Sequence, residues 1–210
     1  VTSVGTSLEE RDRSVKKLVA VIASVCAAKA GNYIVFFPSY KYLEAVSTAF
    51  TERYPKVRTA IQKPGMTAAD REAFLRFFAD DRGVLRVGFC VLGGSFSEGI
   101  DLPGNRLIGT VIVGTGIPGL SAERNIIREY YDVKSGCGYD YAYTFPGMNS
   151  VLQAAGRVIR QDSDRGCVIL VDRRYSEERY RRLMPPHWKD IRFYGGTAEL
   201  REDLGNFWKA

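Results

Sequence analysis

The stretch Gly31-Asn32-Tyr33-Ile34-Val35-Phe36-Phe37-Pro38-Ser39-Tyr40 decides the fold. Five apolar or aromatic residues run without the apolar–polar alternation of a half-exposed strand, which suits a strand buried on both faces of a parallel sheet. Before it, residues 8–30 place Val15, Leu18, Val19, Ile22, Val25 and Cys26 at helical spacing, and Gly31-Asn32 stops that helix. After it, Pro38-Ser39 ends the strand and residues 40–53 read as helix.

The same alternation continues along the chain. Strands are expected over 57–61, 84–92, 108–113 and 167–171. Helices are expected over 67–78, with an N-cap at Thr67 or just before it, and over 122–132, 149–160 and 174–183. The Gly-rich, aromatic segment 136–147 reads as a loop with some order. Pro185-Pro186 is a break, and a short helix is expected over 197–208. Strands alternating with helices predict a doubly wound parallel α/β sheet. With no internal repeat and no low-complexity linker, residues 1–210 form one domain, 184–210 being a peripheral extension. In such sheets ligands sit beyond the carboxyl ends of the strands, so the loops after Phe37, Leu92, Val113 and Val171 are the places for chemistry.

Composition narrows the class. The chain is 45% hydrophobic and 26% charged, as a globular domain is. No apolar stretch reaches the roughly 18 residues that span a bilayer, and no basic-then-apolar leader opens the chain. Cys26, Cys90, Cys137 and Cys167 are scattered without metal-ligand spacing, which predicts reduced thiols and no metal site built by this chain. The single histidine, His187, argues against His-dependent triads. Thirty Lys+Arg against 24 Asp+Glu give a net charge of +6, compatible with a polyanionic partner.

Two constellations carry chemistry. The first, 93–104, reads GGSFSEGIDLPG after an expected strand. Its four glycines let the backbone turn tightly and approach a ligand, while Ser95, Ser97, Glu98 and Asp101 offer hydrogen-bonding groups. A polar Gly-rich turn is the plainer reading of this segment alone. It lacks the lysine of a GxxxxGK[ST] phosphate loop, and no such loop occurs in the chain, so it is not a primary triphosphate cradle. The second, 153–160, reads QAAGRVIR on an expected helix. Gln153, Arg157 and Arg160 would share one face, and Ala154, Ala155 and Gly156 admit a close neighbour. Two guanidinium groups one turn apart suit carboxylates or phosphates, a solvated charge stripe being the alternative.

Taken together, GSFSEGIDLPG, then QAAGRVIR about fifty residues on, then a strand ending in Asp172, resemble motifs V and VI of superfamily 2 helicases. The wording SEGID and QAAGRVIR is similar to that of the DinG/XPD family of DNA helicases. Residues 34–40, IVFFPSY, resemble that family's motif IV, and 166–175, GCVILVDRRY, its G-x-(apolar)-D-x-R segment. The resemblance runs over about residues 8–183. It implies a RecA-like fold of the P-loop NTPase type without its own Walker A, the second of two such domains. The first, with Walker A, the DEAH-type Mg²⁺ site and often a four-cysteine iron–sulfur cluster, is not in this sequence.

The resemblance also implies a mechanism. ATP and Mg²⁺ would sit between the two RecA-like domains. Arg160 would be the arginine finger, with Arg157 beside it and Gln153 holding the nucleotide or the attacking water. Gly99 and Asp101 would contact the ribose or couple it to motif VI, Gly156 would allow close approach, and Glu98 would orient neighbours. Ser39, Tyr40, Ser95 and Ser97 would face single-stranded DNA, Tyr40 by stacking, although Ser39 serves equally well as a helix cap. The partners implied are single-stranded DNA and the N-terminal RecA-like domain, in DNA repair or processing. The compartment implied is the bacterial cytoplasm or a eukaryotic nucleus. The competing expectation is a non-catalytic nucleic-acid-binding module on the same fold.

Overall fold

In a computed structural model, residues 1–79, 83–94, 96, 102, 106–159, 164–188 and 190–210 are described. Five strands, β1 (Asn32–Phe37), β2 (Arg58–Ile61), β3 (Arg86–Val91), β4 (Gly109–Val113) and β5 (Cys167–Val171), form one sheet in the order β2-β3-β1-β4-β5. Every pairing is parallel; Ile34 on β1 is in register with Gly88 on β3 and with Thr110 on β4. The helices are α1 (Arg11–Ala28), α2 (Tyr40–Arg53), α3 (Ala68–Arg76), α4 (Ala122–Ser135), α5 (Phe145–Ala155), α6 (Glu178–Arg181) and α7 (Thr197–Lys209).

The run that decided the fold behaves as its composition demands. All six residues of β1 are buried. Tyr33, Val35 and Phe37 point into a core with Leu18, Ile22 and Val25 of α1, Phe50 of α2 and Leu200 and Leu204 of α7. Ile34 and Phe36 point the opposite way, onto Phe74 of α3 and Met148, Val151 and Ala154 of α5. Each such fully buried side chain contributes about 2 kcal/mol of transfer free energy. The sheet is therefore covered on both faces, as an all-parallel sheet requires. Close approach fixes one layer: a Cβ on Gly88 would lie 2.6 Å from the Phe78 ring.

Local signals set the helix starts. Ser39 caps α2 by accepting from Tyr42 N, and Thr67 and Asp70 form a reciprocal capping box on α3. Ser121 caps α4, and Gly136, at φ +67°, ends it in the left-handed region.

Three segments differ from the sequence expectation. Residues 136–147 are not a loop: Asp140–Thr144 form a π-helical turn that runs into α5 at Phe145. The expected helix 149–160 thus starts earlier, and it ends at Ala155. The expected helix 174–183 is a 3₁₀ turn over Arg173–Ser176 followed by the single-turn α6. There the Asp172 side chain accepts from Arg174 N, a local bond that competes with helix.

Candidate nucleotide and nucleic-acid rim

The carboxyl ends of the strands line one rim. In the order β2-β3-β1-β4-β5, β2 and β3 lie on one side of β1 and β4 and β5 on the other, and open α/β sheets take ligands where the strand order reverses in this way. Ser39 and Tyr40 lie here, at the start of α2 and partly buried. Ser39 Oγ accepts from Tyr42 N at 3.4 Å and from an Arg11 guanidinium nitrogen at 3.3 Å, so it does cap its helix. Arg11 also lies 5.2 Å from the Tyr42 ring centroid and donates to Thr6 O.

Tyr40 is tied to a residue that sequence reasoning missed. Gln62, just past β2 and 4% exposed, donates from Nε2 to the Tyr40 hydroxyl at 3.1 Å. Its Oε1 accepts from Val91 N at 2.9 Å and its own N–H donates to Phe89 O. Gln62 thus locks the ends of β2 and β3 to the start of α2. A lone glutamine after a short strand carries no sequence signal.

The Gly-rich turn comes next along the rim. A Cβ on Gly94 would meet Gln62 Nε2 at 3.3 Å, and one on Gly93, whose φ is +68°, would lie 4.0 Å from Ser150 Oγ. Ser150 is on α5, one turn before Gln153. Phe96 pins the turn by packing its ring 4.5 Å from that of Phe74. Ser95, Ser97, Glu98, Gly99 and Asp101 lie outside the described residues, as does Arg160.

Of the second constellation, Gln153 is exposed on the last turn of α5 and Gly156 is its C-cap. Arg157 N and Val158 N make i→i+3 bonds to Ala154 O and Ala155 O. The chain tightens there from α-helical to i→i+3 bonding. The helix is nevertheless seated firmly. A Cβ on Gly147, near its start, would lie 2.6 Å from Thr115 O, and one on Gly116 would lie 2.4 Å from Gly147 O.

Beyond β5, Asp172 is fully buried and receives Arg174 in a fork, Nε to Oδ1 at 2.8 Å and Nη2 to Oδ2 at 2.9 Å, with Thr6 Oγ1 also donating to it. Burial pushes this carboxyl up, but the bonds from Arg174 and Thr6 outweigh it and hold it below the usual carboxylate range. The neighbouring Tyr175 hydroxyl donates to Gly114 O at 2.7 Å, joining β5 to the bend that seats α5. Among the described residues no cluster of three or more His, Cys, Asp or Glu side chains is placed to hold a metal ion. No helix among them is long and apolar enough to cross a membrane.

Comparison with known proteins places the chain in a family and supports its fold. The family described as the helicase C-terminal domain matches residues 22–191. The chain is 26% identical over 186 residues to the general transcription and DNA repair factor IIH helicase subunit XPD of Schizosaccharomyces pombe, covering 81% of this chain and 23% of that protein. It is 29% identical over 196 residues to a regulator of telomere elongation helicase 1 homolog of Aedes aegypti, covering 84% and 19%. The chain therefore spans about a fifth to a quarter of the length of such relatives. The apo structure of XPD superposes with a TM-score of 0.70 at 20% identity, over 87% of this chain and 36% of that one, and so shares the fold.

Proposed function

The chain belongs to the helicase C-terminal domain family, and from that premise we propose that it is the second RecA-like half of an ATP-dependent DNA helicase or translocase. The observation that carries the proposal is one continuous rim. It runs from Ser39 and Tyr40 through Gln62 to the Gly93-Gly94 turn, and on to Ser150 and Gln153 of α5. A strand-binding end and a nucleotide-binding end side by side along the same end of the sheet is what a motor needs to couple the two.

In this reading ATP is shared with another RecA-like domain, which supplies the Walker A cradle and Mg²⁺ that this sequence lacks. Arg160, assisted by Arg157, reaches the γ-phosphate as charge develops there, and Gln153 holds the nucleotide or the attacking water. Gly156, exposed at the end of α5, leaves room for that approach. After the Gly93-Gly94 turn in sequence, Gly99 and Asp101 contact the ribose or couple it to the Gln153–Arg160 segment, and Glu98 orients its neighbours. Ser39, Tyr40, Ser95 and Ser97 face single-stranded DNA, in repair or processing. Groups that reach the γ-phosphate only in the closed state make closure depend on ATP, and hydrolysis then releases it. Any iron–sulfur cluster would belong to the remainder of such a protein.

The test is DNA-stimulated ATP hydrolysis by this domain joined to its Walker A partner, wild type against Arg160→Ala. The variant should bind ATP and lose turnover by about a thousandfold. Normal turnover in the variant removes the finger role. No stimulated hydrolysis by the wild type leaves the non-catalytic binding module.

A further inference from the structure

Helix α4 is amphipathic in the wrong direction. Not one of its fourteen residues is buried. The side that meets the body of the protein is polar: an Arg124 guanidinium nitrogen donates to Ala142 O at 2.7 Å, Asn125 Oδ1 accepts from the Tyr143 hydroxyl at 3.3 Å, and Asp132 Oδ1 accepts from Gly138 N at 2.8 Å. Tyr131 is its one aromatic anchor, stacked on Tyr141 with ring centroids 3.9 Å apart. Ile126, Tyr130 and Val133, spaced four and three residues apart, form a stripe on the opposite side and are 67%, 58% and 92% exposed. Ile127 flanks the stripe and is exposed as well. Surface helices ordinarily turn such a stripe inward, so this one is built to be covered.

The chemistry of the face chooses the kind of partner. A nucleic-acid strand asks for unpaired cations beside aromatic rings. Here Lys134, over the Tyr130 and Tyr131 rings, is a single such cation, while Arg128 pairs with Asp132 and Arg179 with Asp140, and Ile126 and Val133 of the stripe offer no ring to stack on. A protein surface fits better.

The charges at the ends of the stripe choose the partner itself. Glu123 and Lys134 are eleven residues apart, three helical turns, so both lie on the same flank of the stripe at its opposite ends. Glu123 meets the Ser121 hydroxyl, and Lys134 lies over the rings of Tyr130 and Tyr131. In an antiparallel pair of these helices related by a two-fold axis, like flanks meet. Each Glu123 then faces the Lys134 of the other copy, twice over, while Ile126, Ile127, Tyr130 and Val133 close against their counterparts. Glu129, on the other flank near the axis, opposes its own copy and keeps the pair weak. We propose that the outward face of α4 is a self-complementary surface on which a second copy of this chain docks. The proposal does not depend on the helicase reading.

Sedimentation equilibrium of the 210-residue chain tests it. One helix from each copy makes a small contact, so the expectation is a monomer–dimer equilibrium in the micromolar range. Val133→Glu should abolish it. Glu123→Lys should weaken it about tenfold, and adding Lys134→Glu to that variant should restore it to within about threefold. Because α4 buries no side chain, these variants should keep the wild-type circular dichroism and melting temperature. Three results overturn the proposal: a chain monomeric at every concentration, a dimer indifferent to Val133→Glu, or a double charge reversal that fails to rescue. The first of these assigns the stripe to a different protein surface.

Discussion

Gln62 Nε2 donates to the Tyr40 hydroxyl at 3.1 Å, so the tyrosine proposed to meet DNA is held by its tip while its ring is only partly buried. The hydroxyl and the ring can be tested apart. Tyr40→Phe leaves the buried Gln62 donor without its acceptor and should cost about 1–2 kcal/mol of stability, read from urea denaturation. It should leave single-strand affinity within about twofold, because the stacking face survives. Tyr40→Ala should weaken that affinity by at least about fivefold. Equal affinity losses in the two variants would make the ring a packing element only.

Gly147 stands against the bend after β4 so closely that a Cβ would lie 2.6 Å from Thr115 O. The obstacle is backbone on both sides and cannot swing away. Gly147→Ala should therefore push α5 off the sheet, cost about 2 kcal/mol or more, and lower the melting temperature by several degrees. Gly119→Ala is the control, since nothing lies within 4 Å of the Cβ it would add. If the two variants melt together, the seating of α5 does not depend on this contact.

That glycine also shows what was readable in the sequence. β1, β3 and β4 are apolar runs whose composition leaves no other comfortable place for them than the middle of a parallel sheet, and their limits are within two residues of expectation. The 136–147 segment misled because Pro146 and Gly147 look like breakers. Pro146 falls where the π-helical turn passes into α5, a change of helical pitch at which a residue without an N–H is accommodated, and Gly147 is there for the approach to Thr115. Ser39, Tyr40, Gln153 and Gly156 were legible as candidates because they stand in recognisable strings. Gln62, Thr6 and Arg11 were not, because each acts through a partner more than twenty residues away. The early end of α5 was hidden too: the change to i→i+3 bonding after Ala155 comes within a run, QAAGRVIR, whose composition suits a helix throughout.

The Asp172–Arg174 fork should give the protein a specific acid sensitivity. The carboxyl is held below its usual value in the folded chain, so the unfolded chain binds its proton first as pH falls. The stability this supplies is fully present above about pH 4–5 and is lost as pH drops through the folded-state value. Asp172→Asn should cost about 3 kcal/mol at pH 7, because it leaves Arg174 without its anion. The gap between wild type and variant should narrow as pH falls below the usual carboxylate range and through the lower folded-state value. A gap that stays constant from pH 7 to pH 3 would mean that shape rather than charge sets the energy of the pair.

Salt dependence gives the last prediction. Residues 157–182 carry eight arginines against five acids, a patch that suits either DNA or, more ordinarily, a solvated helix face, and within it Arg173 pairs with Glu10, Arg174 with Asp172, Arg179 with Asp140 and Arg182 with Glu178. Charge neutralised inside the protein releases no counterions from DNA. Arg11 differs: among the described residues its guanidinium meets a carbonyl, the Ser39 hydroxyl and the Tyr42 ring rather than a carboxylate. It stands where a strand along the start of α2 would pass. The isolated chain should therefore bind single-stranded DNA weakly. Its log–log salt slope should be shallow, about −1.5 to −3, corresponding to a few phosphates. Arg11→Gln should flatten that slope by about 0.7, one phosphate contact, whereas Arg182→Gln should leave it unchanged. A slope several units steeper, or one that responds to Arg182 and not to Arg11, would move the strand from the α2 rim to the arginine-rich face beyond β5.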